Sequence, residues 1–314
     1  MPTNPADIRK AALLAVATLA AGFVAPVFPY GGLPLAAFAL GWLTYRFGVR
    51  PAAIIAVAVA GCVALLGPVL LQTAPLDGVF VGVTLLTLGP VAAIALRRYP
   101  ALNVAIGAAL VITVSFLVAP VGALTLKESL VVWKQLLDAL ATSGSTSFPA
   151  TTTAALLTQM TITWPATVFY TMGIGSVLGV WLVARAGRSL DQDVHGFPAL
   201  ADIDVTFHVI WPTIAGLALT AAASLWSHTP PVLTTVGANA LMMVRPILFL
   251  QGAAVFGALY RKAGAGRVSR TIGIVLLVLT ETFVPSISIL GAVDLFANLR
   301  KVPRAGGSAP KAVL

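Results

Sequence analysis

Charge is scarce in this chain. Its 314 residues hold 10 Asp and Glu against 19 Lys and Arg, so charged residues make up 9% of the sequence. A soluble domain carries roughly a quarter, and the shortage excludes an ordinary water-soluble globule. A single cysteine, Cys62 inside an apolar run, excludes an internal disulfide framework and a Cys-based metal cluster. His195 and His228 lie in connections, and His208 opens an apolar run beside Trp211 and Pro212. That spacing is not that of a zinc site, and His208 reads as interfacial. There is no Walker A sequence: Gly264-Ala-Gly266-Arg267 lacks both the spacing and the Lys-Ser/Thr pair that hold phosphate and magnesium. The chain is therefore not expected to hydrolyse ATP by that route. No Ser-His-Asp arrangement can be argued. Asp191, Asp193, Asp202 and Asp204 match no calcium loop. With no catalytic, cofactor or metal motif, the sequence reads as a non-enzyme.

What is present is apolar surface: 59% of residues are hydrophobic and the mean hydropathy is +0.98. Runs near ~20 residues match a hydrocarbon core of about 30 Å spanned at ~1.5 Å per residue. The expected fold is all-α, a polytopic transmembrane helical bundle. About nine apolar segments stand out, at 11–28, 33–46, 51–71, 79–96, 101–121, 162–184, 207–226, 232–260 and 271–293. The net charge of +9 gathers in short clusters at segment ends, which argues against nucleic acid and for orientation in a bilayer. Arg46/Arg50, Arg97/Arg98, Arg185/Arg188 and Arg261/Lys262/Arg267/Arg270 alternate with weakly charged connections. The rule that basic loops stay inside gives a cytoplasmic N-terminus. The first run has a charged start but no convincing cleavage site, so it reads as a retained helix.

Nine full spans would put Arg300, Lys301 and Arg304 outside, against the same rule. Either the last run turns back near Pro285 or an earlier run does not fully cross. The favoured reading is eight effective crossings with both termini inside, in a cell (inner) membrane.

The stretch 124–141 differs in kind. Leu126, Leu130, Trp133, Leu137 and Leu140 recur at helical spacing, while Lys127, Lys134 and Asp138 occupy another face. It reads as an amphipathic helix on the membrane surface or on a neighbouring helix. A Ser/Thr/Gly/Pro-rich loop follows it. The organisation expected is a five-span half over 1–121, the external segment 122–161, a second helical half 162–300 and a basic tail 301–314, in one integrated membrane domain.

Two charges lie inside apolar runs, Arg245 and Glu281. Ionisable groups at mid-depth usually face the bundle interior and are functional candidates. Arg245 precedes Arg261 by 16 residues and Glu281 follows Arg270 by 11, giving depths of roughly 24 Å and 16 Å at ~1.5 Å per residue. Side chains lean toward their own helix N-terminus, which here carries the two apart, so direct pairing stays open. Ala238, Arg245 and Gly252 share one stripe, and Glu281, Pro285, Ser288 and Ala292 another. Asn239 and Gln251 flank Arg245 on opposite sides of its helix. Arg245, Glu281, Asn239, Gln251 and Ser288 form the candidate buried polar site. Its role is open between locking helices, lining a substrate cavity and relaying a proton or ion. Gly173, Gly175 and Gly179, and the Ala-rich first span, read as close helix contacts.

The closing segment carries a resemblance. Gly237-Ala-Asn239, Gln251-Gly252, Gly291, Asp294 and Arg300 resemble the YybS-like membrane family, domain of unknown function 2232. In that family Gly252, Gly291, Asp294 and Arg300 would be motif residues. The chain departs from the family's aromatic-rich ending, reading Asp294-Leu-Phe-Ala-Asn298-Leu-Arg300. The N-terminal half resembles the substrate-binding S-components of energy-coupling-factor transporters, in its Ala-rich first helix, Gly32-Leu-Pro34 and Gly48-Val-Arg-Pro51. That resemblance implies a membrane subunit of a small-molecule uptake system, with coupling and ATPase subunits as partners. The alternative is a non-transporting scaffold or assembly factor in which the buried charges lock helices.

Overall fold

A computed structural model describes residues 5–24, 29–70, 75–142, 150–205, 207–225 and 230–302. Among the described residues there are helices and no strands. The chain forms two compact units, Met1–Phe197 and Pro198–Leu314. The segment around 122–161 thus belongs to the first unit, and the break falls inside the polar stretch after Arg188.

The first unit contains α1 (Pro5–Val24), α2 (Pro29–Phe47), α3 (Val49–Leu70), α4 (Asp77–Leu86), α5 (Ala92–Ala95), α6 (Ala101–Val118), α7 (Pro120–Thr142) and α8 (Ala150–Arg188). A π-helical turn, Thr87–Val91, joins α4 to α5 and contains Pro90. The second unit contains α9 (Ile210–Leu225), α10 (Pro231–Lys262), α11 (Arg267–Phe283) and α12 (Ser286–Ala297), with short 3-10 turns at Leu200–Asp202 and Phe207–Val209.

Among the described residues six helical stretches are long and apolar enough to cross a membrane, and a seventh if the bent pair α11–α12 counts as one span. The helices α1 and α2, of 20 and 19 residues, cover the first two apolar runs, so every apolar run of the sequence has its helix. The last run does not pass straight: its two halves meet at 102°, with Pro285 as the N-cap of α12.

In the first unit α2 is the central element. Ala36, Ala37, Leu40 and Leu43 are almost fully enclosed, with α2 packed against α1, α3, α8 and the π-helical turn. Small residues make this possible, as at Gly179, where an added Cβ would meet Leu88 and Ala37. Gly173 and Gly175 face open space instead, so only part of that glycine series is a helix contact. On α1, Thr18 is buried while Ala12 and Ala20 stay exposed.

Tyr45, Leu96, Arg97 and Gln192 converge on one end of this unit. The Leu96 carbonyl accepts the His195 N–H at 2.8 Å, Arg97 donates to Gln192 at 3.0 Å, and its guanidinium lies over the Tyr45 ring. The arginine clusters of α2, α5 and α8 thus mark the same end.

The amphipathic segment is α7, entered through a sharp reversal at Ala119. Leu126 and Leu130 are half-buried and Leu137 is buried, while Trp133 is exposed. The N-terminus of α7 is tied down by Asp77, whose Oδ1 accepts the Val121 N–H at 3.0 Å. The Ser/Thr-rich stretch expected as loop up to Thr153 is corrected in its second half, because α8 already begins at Ala150. In α8 the hydroxyls of Thr158 and Thr161 donate to carbonyls one turn back, at 2.9 and 3.0 Å, which makes threonine compatible with an apolar helix. Residues 143–149, His228 and the tail from 303 lie outside the described residues.

Candidate functional site

The candidate residues all belong to the second unit, where glycine sets the spacing. Gly252 on α10 and Gly291 on α12 meet at the helix crossing. A Cβ on Gly252 would collide with the Ile287 carbonyl, and one on Gly291 with the Leu248 carbonyl. Direct backbone contact of this kind is what small residues permit between membrane helices. It brings polar groups of α10 and α12 within reach of each other on both sides of the crossing.

Arg245, Glu281 and Ser288 come together on one side. Arg245 Nε donates to Glu281 Oε1 at 2.9 Å, and Arg245 Nη2 donates to the Glu281 carbonyl oxygen. Glu281 Oε2 accepts the N–H groups of Ile287 and Ser288 at 3.1 and 3.2 Å. The Ser288 hydroxyl donates to Glu281 Oε1 at 2.6 Å and also lies 3.1 Å from the Arg245 carbonyl oxygen. The carboxylate therefore caps the first turn of α12, whose N–H groups have no partner within their own helix. A helix that starts inside a bilayer needs that satisfaction from protein, because hydrocarbon supplies none.

The pairing forms although straight-helix depths kept it open. Glu281 sits in the last turn of α11, and the 102° bend brings the start of α12 onto its carboxylate. The Arg245 side chain remains 41% exposed and that of Glu281 12%.

Gln251 lies in a different cluster. Its Oε1 accepts the Val205 N–H at 2.9 Å, and its Nε2 donates to Asp294 Oδ2 at 2.8 Å and Asp204 Oδ1 at 3.2 Å. Arg300 closes this cluster. Its Nε donates to Asp294 Oδ2 at 3.0 Å and its Nη1 to the carbonyls of Ala201 and Ile203 at 3.1 and 2.6 Å. Its Nη2 lies 3.4 Å from Asp204 Oδ1. The side chains of Arg300 and Asp294 are 2% and 0% exposed.

The chain can fold back this way because Asn298 ends α12 in the left-handed conformation, at φ 45°. Asparagine tolerates that region better than other residues with a Cβ. Arg300 thereby lands beside Asp294, one and two-thirds turns earlier in sequence. The result is a clasp that fastens the 201–205 segment to α10 and α12.

Asn239 joins neither cluster through these bonds; its Nδ2 donates to the Thr235 carbonyl one turn back, at 2.8 Å. Asp204 is the clasp member that sequence reasoning passed over as part of a polar loop. Asp202, its neighbour, pairs with Arg261 at 2.7 Å on the surface. Arg300 in the closing motif is a signal for acidic partners, and Asp294, six residues before it, supplies only one of the two it meets. Among the described residues no group of three or more His, Cys, Asp or Glu could hold a metal ion.

The first unit contains a groove of about 640 Å³ at the end away from Arg97. Leu76, Val79, Phe80 and Val83 form one wall, and Leu110, Val111, Val114 and Val118 the other, with Ser115, Ala119 and Pro120 closing it. Among the described residues no charged side chain lines it.

A family model described as a predicted membrane protein, DUF2232, matches residues 12–295. No curated protein and no solved structure matches the chain.

Proposed function

The chain belongs to the DUF2232 family of predicted membrane proteins, and from that premise we propose that it is the small-molecule-binding membrane subunit of an uptake system. The groove of the first unit carries this reading. Its 640 Å³ falls within the ~300–1,000 Å³ of small-molecule sites; it is an open groove whose walls at Leu76, Val79, Val114 and Val118 are more than half exposed, and its uncharged walls suit a largely apolar ligand. It lies at the end opposite the arginine clusters, hence on the outer side if basic ends stay in the cytoplasm. Energy would come from coupling and ATPase subunits, in keeping with a sequence that has no Walker A motif.

In this reading Arg245 and Glu281 brace the second unit and do not line the binding site. A scaffold without transport is the second reading, and one observation favours it: Arg245 and Glu281, whose role the sequence leaves open, bond to each other and tie α10, α11 and α12 together. Native mass spectrometry of the detergent-purified full chain separates the two. A bound non-lipid small molecule, or recovered coupling and ATPase subunits, supports uptake. Lipid adducts alone, or a stable protein partner retained by Arg245→Ala with no small molecule, would reverse the order.

A further inference from the structure

Between Tyr170 and Arg188 the exposed residues of α8 are Ile174, Val177, Leu178, Trp181, Arg185 and Arg188. They recur at i, i+3, i+4, i+7, i+11 and i+14, which places them on one face of the helix. Val180, Val183, Ala184 and Ala186, on the other side, are buried in the core of the first unit. The stripe is therefore the outward face of α8. Its chemistry is graded along the helix: aliphatic first, then an indole, then two guanidinium groups.

That order matches the depth profile of one bilayer leaflet. Ile174 and Arg185 are 11 residues apart, roughly 17 Å at ~1.5 Å per residue, against about 15 Å for half of the hydrocarbon core. Gly173 and Gly175, beside Ile174, face open space, so a hydrocarbon chain can lie close to the helix backbone there. Trp181 stands where indoles gather in membrane proteins, between the chains and the headgroups. The Arg185 guanidinium lies 5.9 Å from the centre of the Trp181 ring, which keeps its charge at that level. Arg188 donates through Nε to the Ala184 carbonyl at 3.4 Å. Among the described residues neither arginine pairs with a carboxylate, although Asp191 and Asp193 follow in sequence. Both cations thus keep donors open at headgroup depth.

We propose that this stripe binds a phospholipid with an anionic headgroup. One chain lies along Ile174, Val177 and Leu178, the glycerol region meets Trp181, and the phosphate is held by Arg185 and Arg188. Guanidinium groups suit a phosphate because two N–H donors can reach two of its oxygens. Each cation near an anionic lipid surface is worth roughly fivefold in affinity. Orientation in the bilayer needs only cations somewhere at the basic end; the graded stripe adds a surface for one whole lipid. The inference is independent of the groove and of any uptake role.

The test is native mass spectrometry of the delipidated full chain in detergent, titrated with phosphatidylglycerol and phosphatidylcholine bearing the same chains. Wild type is expected to retain phosphatidylglycerol in preference. Arg185→Gln/Arg188→Gln is expected to lower the affinity for that lipid by about 25-fold. Arg50→Gln/Arg98→Gln removes as much charge from the same end and is expected to stay near wild type. Equal retention of the two lipids by wild type overturns the proposal, as does an α8 pair that binds like wild type. A loss as large in the Arg50/Arg98 pair also overturns it, since a diffuse positive field would then suffice. All four arginines are exposed, so the variants are expected to fold. Where the α8 pair does not, Arg185→Gln alone decides, with a loss of about fivefold expected and no loss overturning the site.

Discussion

Gly252 and Gly291 pack backbone to backbone where α10 crosses α12, each leaving no room for a Cβ against the other helix's carbonyls. Both polar clusters of the second unit depend on that closeness. Gly291→Ala forces the helices apart, and overpacking of this kind costs about 1–3 kcal/mol. The expected outcome is a lower unfolding temperature in detergent together with faster proteolysis near residues 201–205. An alanine variant as stable as wild type would show that the contact is not needed.

Arg300→Ala leaves Asp294 buried without its guanidinium and frees the Ala201 and Ile203 carbonyls. Removing one partner of a buried pair costs about 3–5 kcal/mol. Arg300→Lys is expected to recover little, because one ammonium cannot serve the fork of acceptors at Asp294, Ala201 and Ile203. Unfolding curves for the two variants check this, and full recovery by lysine would show that charge alone matters.

Glu281→Ala removes the cap of α12, worth about 1–2 kcal/mol. Its loss also leaves Arg245 without its carboxylate inside an apolar span, where an uncompensated charge is costly. Glu281→Gln keeps one acceptor oxygen and should fall between Ala and wild type. Hydrogen exchange at the Ile287 and Ser288 amides reports the cap directly, and should accelerate more in the alanine variant than in the glutamine one.

Much of this architecture could be read from residue order, because bilayer physics leaves few options. Each apolar run near 20 residues became a helix, and a turn-back near Pro285 was one of two readings that the charges Arg300 and Lys301 left open; the 102° bend is what the fold shows. The family membership was also legible, in the resemblance at Gln251-Gly252, Gly291 and Asp294, all within the matched residues 12–295. Which residues touch was harder. Depth arithmetic treated α10 and α11 as straight rods, so it could not see that Glu281 turns to cap α12. Likewise Arg300 meets Asp204 across 96 residues of sequence, a distance that no local pattern encodes. The groove left no motif either, since leucine and valine look alike whether they face lipid or a ligand.

Val114→Trp places an indole in the groove of the first unit while leaving the buried core of α6 untouched, as Val114 is 61% exposed. Its unfolding temperature is expected to stay near that of wild type. A large fall would show that the groove wall is part of the packed core.

The account's central claim is that binding belongs to the groove, while Arg245 and Glu281 only hold helices. Native mass spectrometry of three full chains, wild type, Val114→Trp and the double variant Arg245→Met/Glu281→Met, tests it most directly. The predicted result is a non-lipid adduct on wild type and on the double variant, absent from Val114→Trp. An adduct that survives Val114→Trp but disappears with Arg245 and Glu281 would contradict the claim and return the binding site to the charged pair.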